Sequence, residues 1–281
     1  MNLPMRLRSC LFVPAVKERA IAKAATLPAD AVIFDLEDSV ADSEKPAARQ
    51  RIVDAASGSA YAGKLLVARV NGADTLQFAD DLLALRDARL DAILLPKLES
   101  AASVIRAAEL LARPDIAFWG MVETARGLVD LRTIAATSQG LLKALVVGPN
   151  DLVRTTGIEP GAGRANLLPW LLEVVLVAAA HGLHAIDGVY NRFDDVAGFA
   201  AECEQARALG FLGKTLIHPA QIDPANAAFR PGAAAIGWAR GVVAGFAAAP
   251  ASVNVIDVGG EMVERLHVDM ARRILQDAGE N

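Results

Sequence analysis

Cysteine is scarce in this chain and basic charge is not in excess, and both shortages narrow what it can be. Two cysteines, Cys10 and Cys203, occur in 281 residues, and neither belongs to a CxxC pattern. Zinc cages and redox pairs need such spacing, so both thiols are expected as buried groups in a reducing compartment, the cytoplasm. Histidine is nearly as rare, with His181, His184, His218 and His267. A turn at Gly182 separates the first two, and no H-E-x-x-H context surrounds them. Aromatics make up 5% against 53% hydrophobic residues, a mix that suits helices on a parallel sheet better than an aromatic-rich sandwich. The net charge of −5 supplies no basic stripe, so no nucleic-acid partner is expected. No membrane partner is expected either. Leu171–Ala180 is interrupted by Glu173, Ala233–Ala249 by Arg240, and Pro4, Arg6 and Arg8 break up the N-terminus, so neither a spanning helix nor a secretory h-region is present.

What the chain does have is a β/α rhythm. Continuous apolar runs at Ser9–Val13, Ala31–Leu36, Leu65–Val70, Asp91–Pro96, Ile116–Val122, Ala144–Gly148, His184–Gly188 and Phe211–Ile217 read as eight buried strands. Amphipathic stretches such as 43–56, 75–88, 100–111 and 166–181 lie between them. Eight such units predict a closed (β/α)₈ barrel over residues 1–250. An open doubly wound sheet would carry a glycine-rich loop after its first strand, where this chain has Val13-Pro-Ala-Val-Lys-Glu-Arg19. Residues 251–281 follow Ala249-Pro-Ala-Ser252 and hold a turn at Gly259-Gly260 and a helix around 268–277. They are expected as a C-terminal helical extension, serving as a tail, a lid or a subunit contact.

The strand ends carry the chemistry. Five in succession bear polar or charged groups: Glu37 and Asp38, then Arg69 and Asn71, Lys97 and Glu99, Glu123, and finally Asn150 and Asp151. A lone carboxylate there is usually a helix cap, but Arg69 and Lys97 have the wrong sign for a helix N-terminus. Glu123 and Asp151, on successive strand ends, form a plausible cradle for Mg²⁺, which prefers oxygen ligands and keeps several waters. Arg69 suits a carboxylate or thioester oxygen in a bidentate fork. Glu37 and Asp38 are placed to order metal-bound waters. Lys97 is expected in a structural ion pair, its pKa kept high by the surrounding carboxylates.

These residues lie in motifs that resemble the citrate lyase β-subunit-like family of the HpcH/HpaI aldolase superfamily, with its malyl-CoA and citramalyl-CoA lyases. The motifs are Arg8-Ser-Cys-Leu-Phe-Val-Pro14, Asp35-Leu-Glu-Asp-Ser-Val40, Arg69-Val-Asn71, Leu95-Pro-Lys-Leu-Glu99, Val122-Glu-Thr-Ala125, Gly148-Pro-Asn-Asp-Leu152, Gly210-Phe-Leu-Gly-Lys214 and Ile217-His-Pro-Ala-Gln221. The resemblance runs in order from about residue 6 to residue 277. It implies a (β/α)₈ barrel that cleaves or forms a C–C bond in a 3-hydroxyacyl thioester, giving a 2-oxo acid and an acyl-CoA. It implies Glu123 and Asp151 as Mg²⁺ ligands, Arg69 as substrate clamp, and Glu37 and Asp38 as neighbours of the metal waters. Phe12, Lys17, Gly148, Pro149 and Asn150 are implied as contacts for substrate and CoA. It implies a homo-oligomer, trimer or hexamer, in which a C-terminal Gly-x-Met-x-Asp-x-Pro aspartate enters a neighbouring subunit's site. Here that pattern reads Gly260-Glu-Met-Val-Glu-Arg-Leu266, so Glu264 stands where aspartate is usual. Two alternatives stay open: a CoA-independent aldolase for free 2-oxo acids, and a β-subunit acting on an acyl-carrier-protein thioester.

Overall fold

The structure is a computed structural model, described over residues 6–138 and 140–280. Its strands and helices alternate from the start: β1 (Ser9–Pro14), α1 (Glu18–Thr26), β2 (Ala31–Asp35), α2 (Lys45–Ser57), β3 (Leu65–Arg69), α3 (Gln77–Leu85), β4 (Ala92–Leu95) and α4 (Ala101–Leu111). They continue through β5 (Ala117–Val122), α5 (Ala125–Thr137), β6 (Leu142–Val147), α6 (Pro149–Thr156), α7 (Leu168–Ala180), β7 (His184–Asp187), α8 (Val196–Leu209), β8 (Gly213–Leu216) and α9 (Ile222–Ala228). All eight strands pair in parallel with their sequence neighbours, and β8 returns to β1 to close the barrel. The expected (β/α)₈ architecture is therefore observed.

The apolar runs explain why. Ala31–Asp35 and Ala92–Leu95 are buried at every position, as strands covered on both faces must be. Trp119, Phe118 and Phe34 are among the largest fully buried side chains, each removing enough apolar surface to contribute roughly 1.5–3 kcal/mol. Local caps then set where helices begin. The side chains of Ser100, Thr124 and Asp195 accept from backbone N–H groups at the starts of α4, α5 and α8.

One apolar helical run of membrane-spanning length occurs among the described residues, at 162–180. Its first turns are a separate 3₁₀ segment with Gly163 and Arg164 in the left-handed region. Its later turns bury Leu171, Val174, Val177 and Ala178, as a barrel helix does.

Two compact units divide the described residues, 7–228 and 229–280 with Arg6. The sequence puts the end of the barrel at 250; the unit that holds the barrel ends at Ala228. The helix α10 (Ala233–Ala248) packs instead with the C-terminal segment. That segment carries the expected final helix and, before it, strands that the sequence reading lacks. It holds an antiparallel hairpin, β9 (Val255–Val258) and β10 (Glu261–Glu264), before α11 (His267–Ala278). Gly259 and Gly260 both take positive φ, 66° and 87°, which a two-residue hairpin turn of the right twist demands. Gly241 and Gly245 of α10 leave room for the hairpin. An added Cβ would come within 2.7 Å of Val258 and 2.6 Å of Ile256.

Closure between β8 and β1 depends on one missing side chain. A Cβ on Gly213 would sit 1.7 Å from the carbonyl oxygen of Leu7, which no rotamer change relieves. Gly213→Ala is expected to destabilise the protein by about 3 kcal/mol, the upper range for overpacking, read as a lowered midpoint in chemical denaturation. A midpoint equal to wild type would show that the seam has slack.

Candidate active site

At the carboxyl ends of the strands lies a cavity of about 520 Å³, in the size range of small-molecule sites. Of the residues the sequence singled out, the structure brings Phe12, Asp38, Arg69, Glu123, Gly148, Pro149, Asn150 and Asp151 to its wall. Three others lie elsewhere. Glu37 is buried next to Arg69 but does not line the cavity. Lys17 is exposed at the start of α1. Glu264 is exposed on β10, in the 229–280 unit, where its N–H donates to His267 Nδ1 at 3.0 Å.

Arg69 anchors one side. The β2–β3 register sets Asp35 directly beside it. Its Nε and Nη2 donate to the two oxygens of Asp35 at 2.6 and 2.8 Å. Of the bidentate fork that the sequence assigns to substrate, the side-on edge is thus already filled. Only the remaining Nη N–H groups are left for a substrate oxygen. Asp35 itself, a cavity residue, went unread as a functional group because it ends an apolar strand. Its one sequence signal is a carboxylate at a position paired with arginine. The guanidinium lies over the Phe12 ring, 4.9 Å from its centroid. Burial alone would depress the pKa of Arg69, but Asp35, Glu37 and Glu123 override this and hold it fully charged. The same pair lowers the pKa of Asp35 in spite of burial.

Glu123 follows β5 and is 2% exposed. Its Oε1 accepts the backbone N–H of Lys97 at 2.7 Å. To offer that N–H, Lys97 holds φ at +46°, a left-handed conformation that costs a non-glycine residue roughly 1–2 kcal/mol. Its ammonium meets Glu37 Oε1 in an ion pair, as the sequence reading expects. The carboxylates Glu37, Glu123 and Asp38 raise its pKa against the effect of burial, so the amine stays protonated and unfit for a Schiff base. Glu37 Oε2 lies 2.9 Å from Arg69 Nη1 yet has no hydrogen-bond partner. Gly148 gives Glu123 its space, since a Cβ there would stand 2.4 Å from the Glu123 Cβ and 2.5 Å from Oε2.

Asp151 enters from the first turn of α6, where the helix N-terminus favours a carboxylate. Arg154 donates twice to its Oδ1, at 2.9 and 2.5 Å. Together, Asp35, Glu37, Asp38, Glu123 and Asp151 face Arg69, Lys97 and Arg154. The group is two positive charges short. Among the described residues no three metal-ligating side chains form a cage, so any cation here would rest on the Glu123–Asp151 pair, with water or substrate completing its shell. Mg²⁺ is commonly held in that way. Burial, then the nearby Glu37 charge, pushes Glu123 up to about 7. A carboxylate so crowded fits a site made for a cation.

That shift has a measurable sign. Folded Glu123 keeps its proton up to about 7, against an ordinary 4.5. Its contribution to the stability of the metal-free protein therefore falls as pH rises through that interval. A cation must displace the same proton. Calorimetry of Mg²⁺ binding in buffers of different ionisation enthalpy is expected to show release of about one proton per ion at pH 6 and almost none at pH 8.5. Equal release at both pH values would remove Glu123 as a ligand.

With this geometry in hand, known proteins give the site a context. The sequence model of the HpcH/HpaI aldolase/citrate lyase family matches residues 8–219. The chain is 44% identical over 272 residues to a (3S)-malyl-CoA thioesterase of Cereibacter sphaeroides, covering 96% of this chain and 94% of that one. It is 37% identical over 285 residues to a citrate lyase subunit beta-like protein of Mycobacterium tuberculosis, covering 100% and 98%. Its fold is similar to the crystal structure of the protein CitE from Mycobacterium tuberculosis in complex with magnesium, acetoacetate and coenzyme A. That match has a TM-score of 0.80 at 35% identity and covers 99% of this chain and 100% of the other. The chain belongs to the HpcH/HpaI aldolase/citrate lyase family.

Proposed function

We propose that this protein is a Mg²⁺-dependent carbon–carbon lyase that cleaves a 3-hydroxyacyl-CoA thioester into a 2-oxo acid and an acyl-CoA, and catalyses the reverse condensation. The observation that carries this reading is the meeting of Glu123, Asp151 and Arg69 on one cavity, within a cluster of ion pairs whose carboxylates outnumber its cations by two. Glu123 and Asp151 would hold Mg²⁺. When bound, the ion supplies Lewis-acid polarisation of the oxo-acid oxygens.

The chain's own groups supply the rest. In cleavage, a base takes the 3-hydroxyl proton, and the oxygen's electron pair forms the carbonyl of the oxo acid. The C2–C3 bond breaks, and its pair moves into the thioester as an enolate, which takes a proton at carbon to give the acyl-CoA. The Nη N–H groups of Arg69 not used by Asp35 stabilise the charge on the thioester oxygen, and stabilisation of this kind usually contributes most to such catalysis. Phe12, Gly148, Pro149 and Asn150 wall the acyl end. Met121, Val147, Val189 and Ile217 add apolar surface that limits water. Lys17, exposed outside the cavity, is the candidate for the CoA phosphates. Glu264 of a second copy is the candidate acid/base, which makes the working form a homo-oligomer, trimer or hexamer.

A second reading has a specific observation behind it. The Cereibacter sphaeroides relative is named a thioesterase, so hydrolysis of the thioester to a free hydroxy acid and CoA belongs in the same test. Purified protein with Mg²⁺ is to be offered acetyl-CoA or propionyl-CoA with glyoxylate, pyruvate or oxaloacetate, beside an EDTA control, with products read by mass spectrometry. A Mg²⁺-dependent hydroxyacyl-CoA supports the lyase, and free hydroxy acid with CoA supports the hydrolase. No product from any pair would sink both, and would direct attention to a carrier-protein thioester. Glu264→Gln is expected to lower turnover by ~10²-fold or more, the usual worth of a general acid/base, with Mg²⁺ affinity unchanged. Unchanged turnover would remove Glu264 from the reaction.

A further inference from the structure

Asp35 is held more tightly than a structural carboxylate needs to be. Its Oδ1 accepts from the backbone N–H of Glu37 at 3.0 Å and from Arg69 Nε at 2.6 Å. Its Oδ2 accepts from the backbone N–H of Ser39 at 3.2 Å and from Arg69 Nη2 at 2.8 Å. Four donors saturate the two oxygens, whose lone pairs number about four. The Asp35 and Arg69 side chains are 4% and 11% exposed, yet both residues reach the cavity wall. Two of the four donors belong to the turn after β2 and fix the carboxylate. The other two let that carboxylate fix the guanidinium against the Phe12 ring. Nη1 is left without so firm a partner. Its nearest neighbours are Glu37 Oε2 at 2.9 Å, without hydrogen-bond geometry, Asp38 Oδ2 at 3.8 Å and Met121 Sδ at 3.9 Å.

The geometry points to Asp35 as a positioning residue: it grips Arg69 by the Nε–Nη2 edge, fixes the plane of the guanidinium, and leaves only the other Nη N–H groups, those of Nη1 beside Glu37, to reach substrate. The role rests on the lyase reading for its catalytic consequence, though the grip itself does not. A clamp fixed in this way is already set where charge develops, so no reorganisation is needed during reaction. Arg69 on a long flexible side chain would otherwise have to be ordered by the substrate, and a misplacement near 1 Å can cost ~10²-fold in rate.

Asp35→Asn breaks the two-point grip on Arg69. The amide oxygen keeps one turn N–H and one arginine donor, while the NH₂ group faces the other of each, so the bidentate grip is lost and the turn keeps one of its two bonds. Condensation of acetyl-CoA with glyoxylate is to be measured for wild type, D35N, R69M and the double variant, together with Mg²⁺ affinity by calorimetry. The expected result is a ~10²-fold fall in kcat for D35N, Mg²⁺ affinity within about twofold of wild type, and no further loss when D35N is added to R69M. An independent D35N loss in the R69M background, or D35N as active as wild type, would overturn the role. The Nε–H of Arg69 in wild-type protein gives a readout free of both folding and turnover. ¹H–¹⁵N NMR is expected to find it downfield and protected from exchange. An exchanging, undispersed Arg69 Nε–H overturns the grip, whatever the variants do. An inactive wild type with a protected Nε–H counts against the lyase reading alone and upholds the grip.

Discussion

A crowd of like charges governs this site, and the surrounding structure is arranged to tolerate it. Carboxylates placed together in a partly dry cavity repel one another and resist ionisation. Asp35 is neutralised outright by Arg69, Glu37 is paired with Lys97, and Glu123 is steadied by a single backbone N–H. Asp38, 65% exposed, is left to the solvent. Protection therefore falls off from Asp35 to Glu123. Glu123 is the most crowded carboxylate and the one whose pKa climbs to about 7. A divalent cation is the natural completion of that series, since it supplies the two charges the side chains lack.

Backbone geometry makes the arrangement possible. Lys97 adopts a left-handed φ so that its N–H can reach Glu123. Hydrogen bonds to charged groups contribute about 1.5–3 kcal/mol, enough to offset the conformational cost. Strain at a site of this kind persists because the surroundings over-determine it, and here they do. Pro96 precedes the residue, and Leu98 donates its N–H to the carbonyl of Met121. The ammonium of Lys97 pairs with Glu37. On the other side, Gly148 is the one residue small enough to let β6 pass the Glu123 side chain. The motifs after β4, β5 and β6 are thus three parts of one holder for Glu123.

Much of this was legible in the sequence, for physical reasons that differ by element. The eight strands could be read because parallel strands covered on both faces need unbroken apolar runs, as residues 31–34 and 144–147 provide. The rim residues could be read because Arg69 and Lys97 have the wrong sign for helix caps. The hairpin at 255–264 was missed because short, largely exposed four-residue strands leave a weak alternation, and Gly259-Gly260 was read as a turn without its two strands. The boundary at 250 followed a Pro-Ala-Ser linker signal, whereas the compact unit is set by what α10 packs against. The fork on Arg69 was assigned to substrate because its partner depends on register, and only the β2–β3 pairing puts Asp35 beside it.

The barrel contains its own control for what makes a charge cluster functional. Between β7 and β8, Asp187 and Lys214 are both fully buried and register partners. Lys214 donates to Asp187 and Glu202 at 2.6 and 2.7 Å, and Arg164 donates twice to Asp187 at 2.8 and 2.9 Å. Two acids meet two bases there. The neighbouring cations lower the pKa of Asp187 despite complete burial, so that cluster is at rest. Around Glu123 the hydrogen bonds are as short, but the charges do not cancel. Hydrogen-bond geometry alone would mark both clusters as equally special. The balance of charge separates them: the β7–β8 cluster is complete with the atoms of the chain, and the cluster on β2 to β6 keeps an excess of two carboxylates that a bound divalent cation would balance.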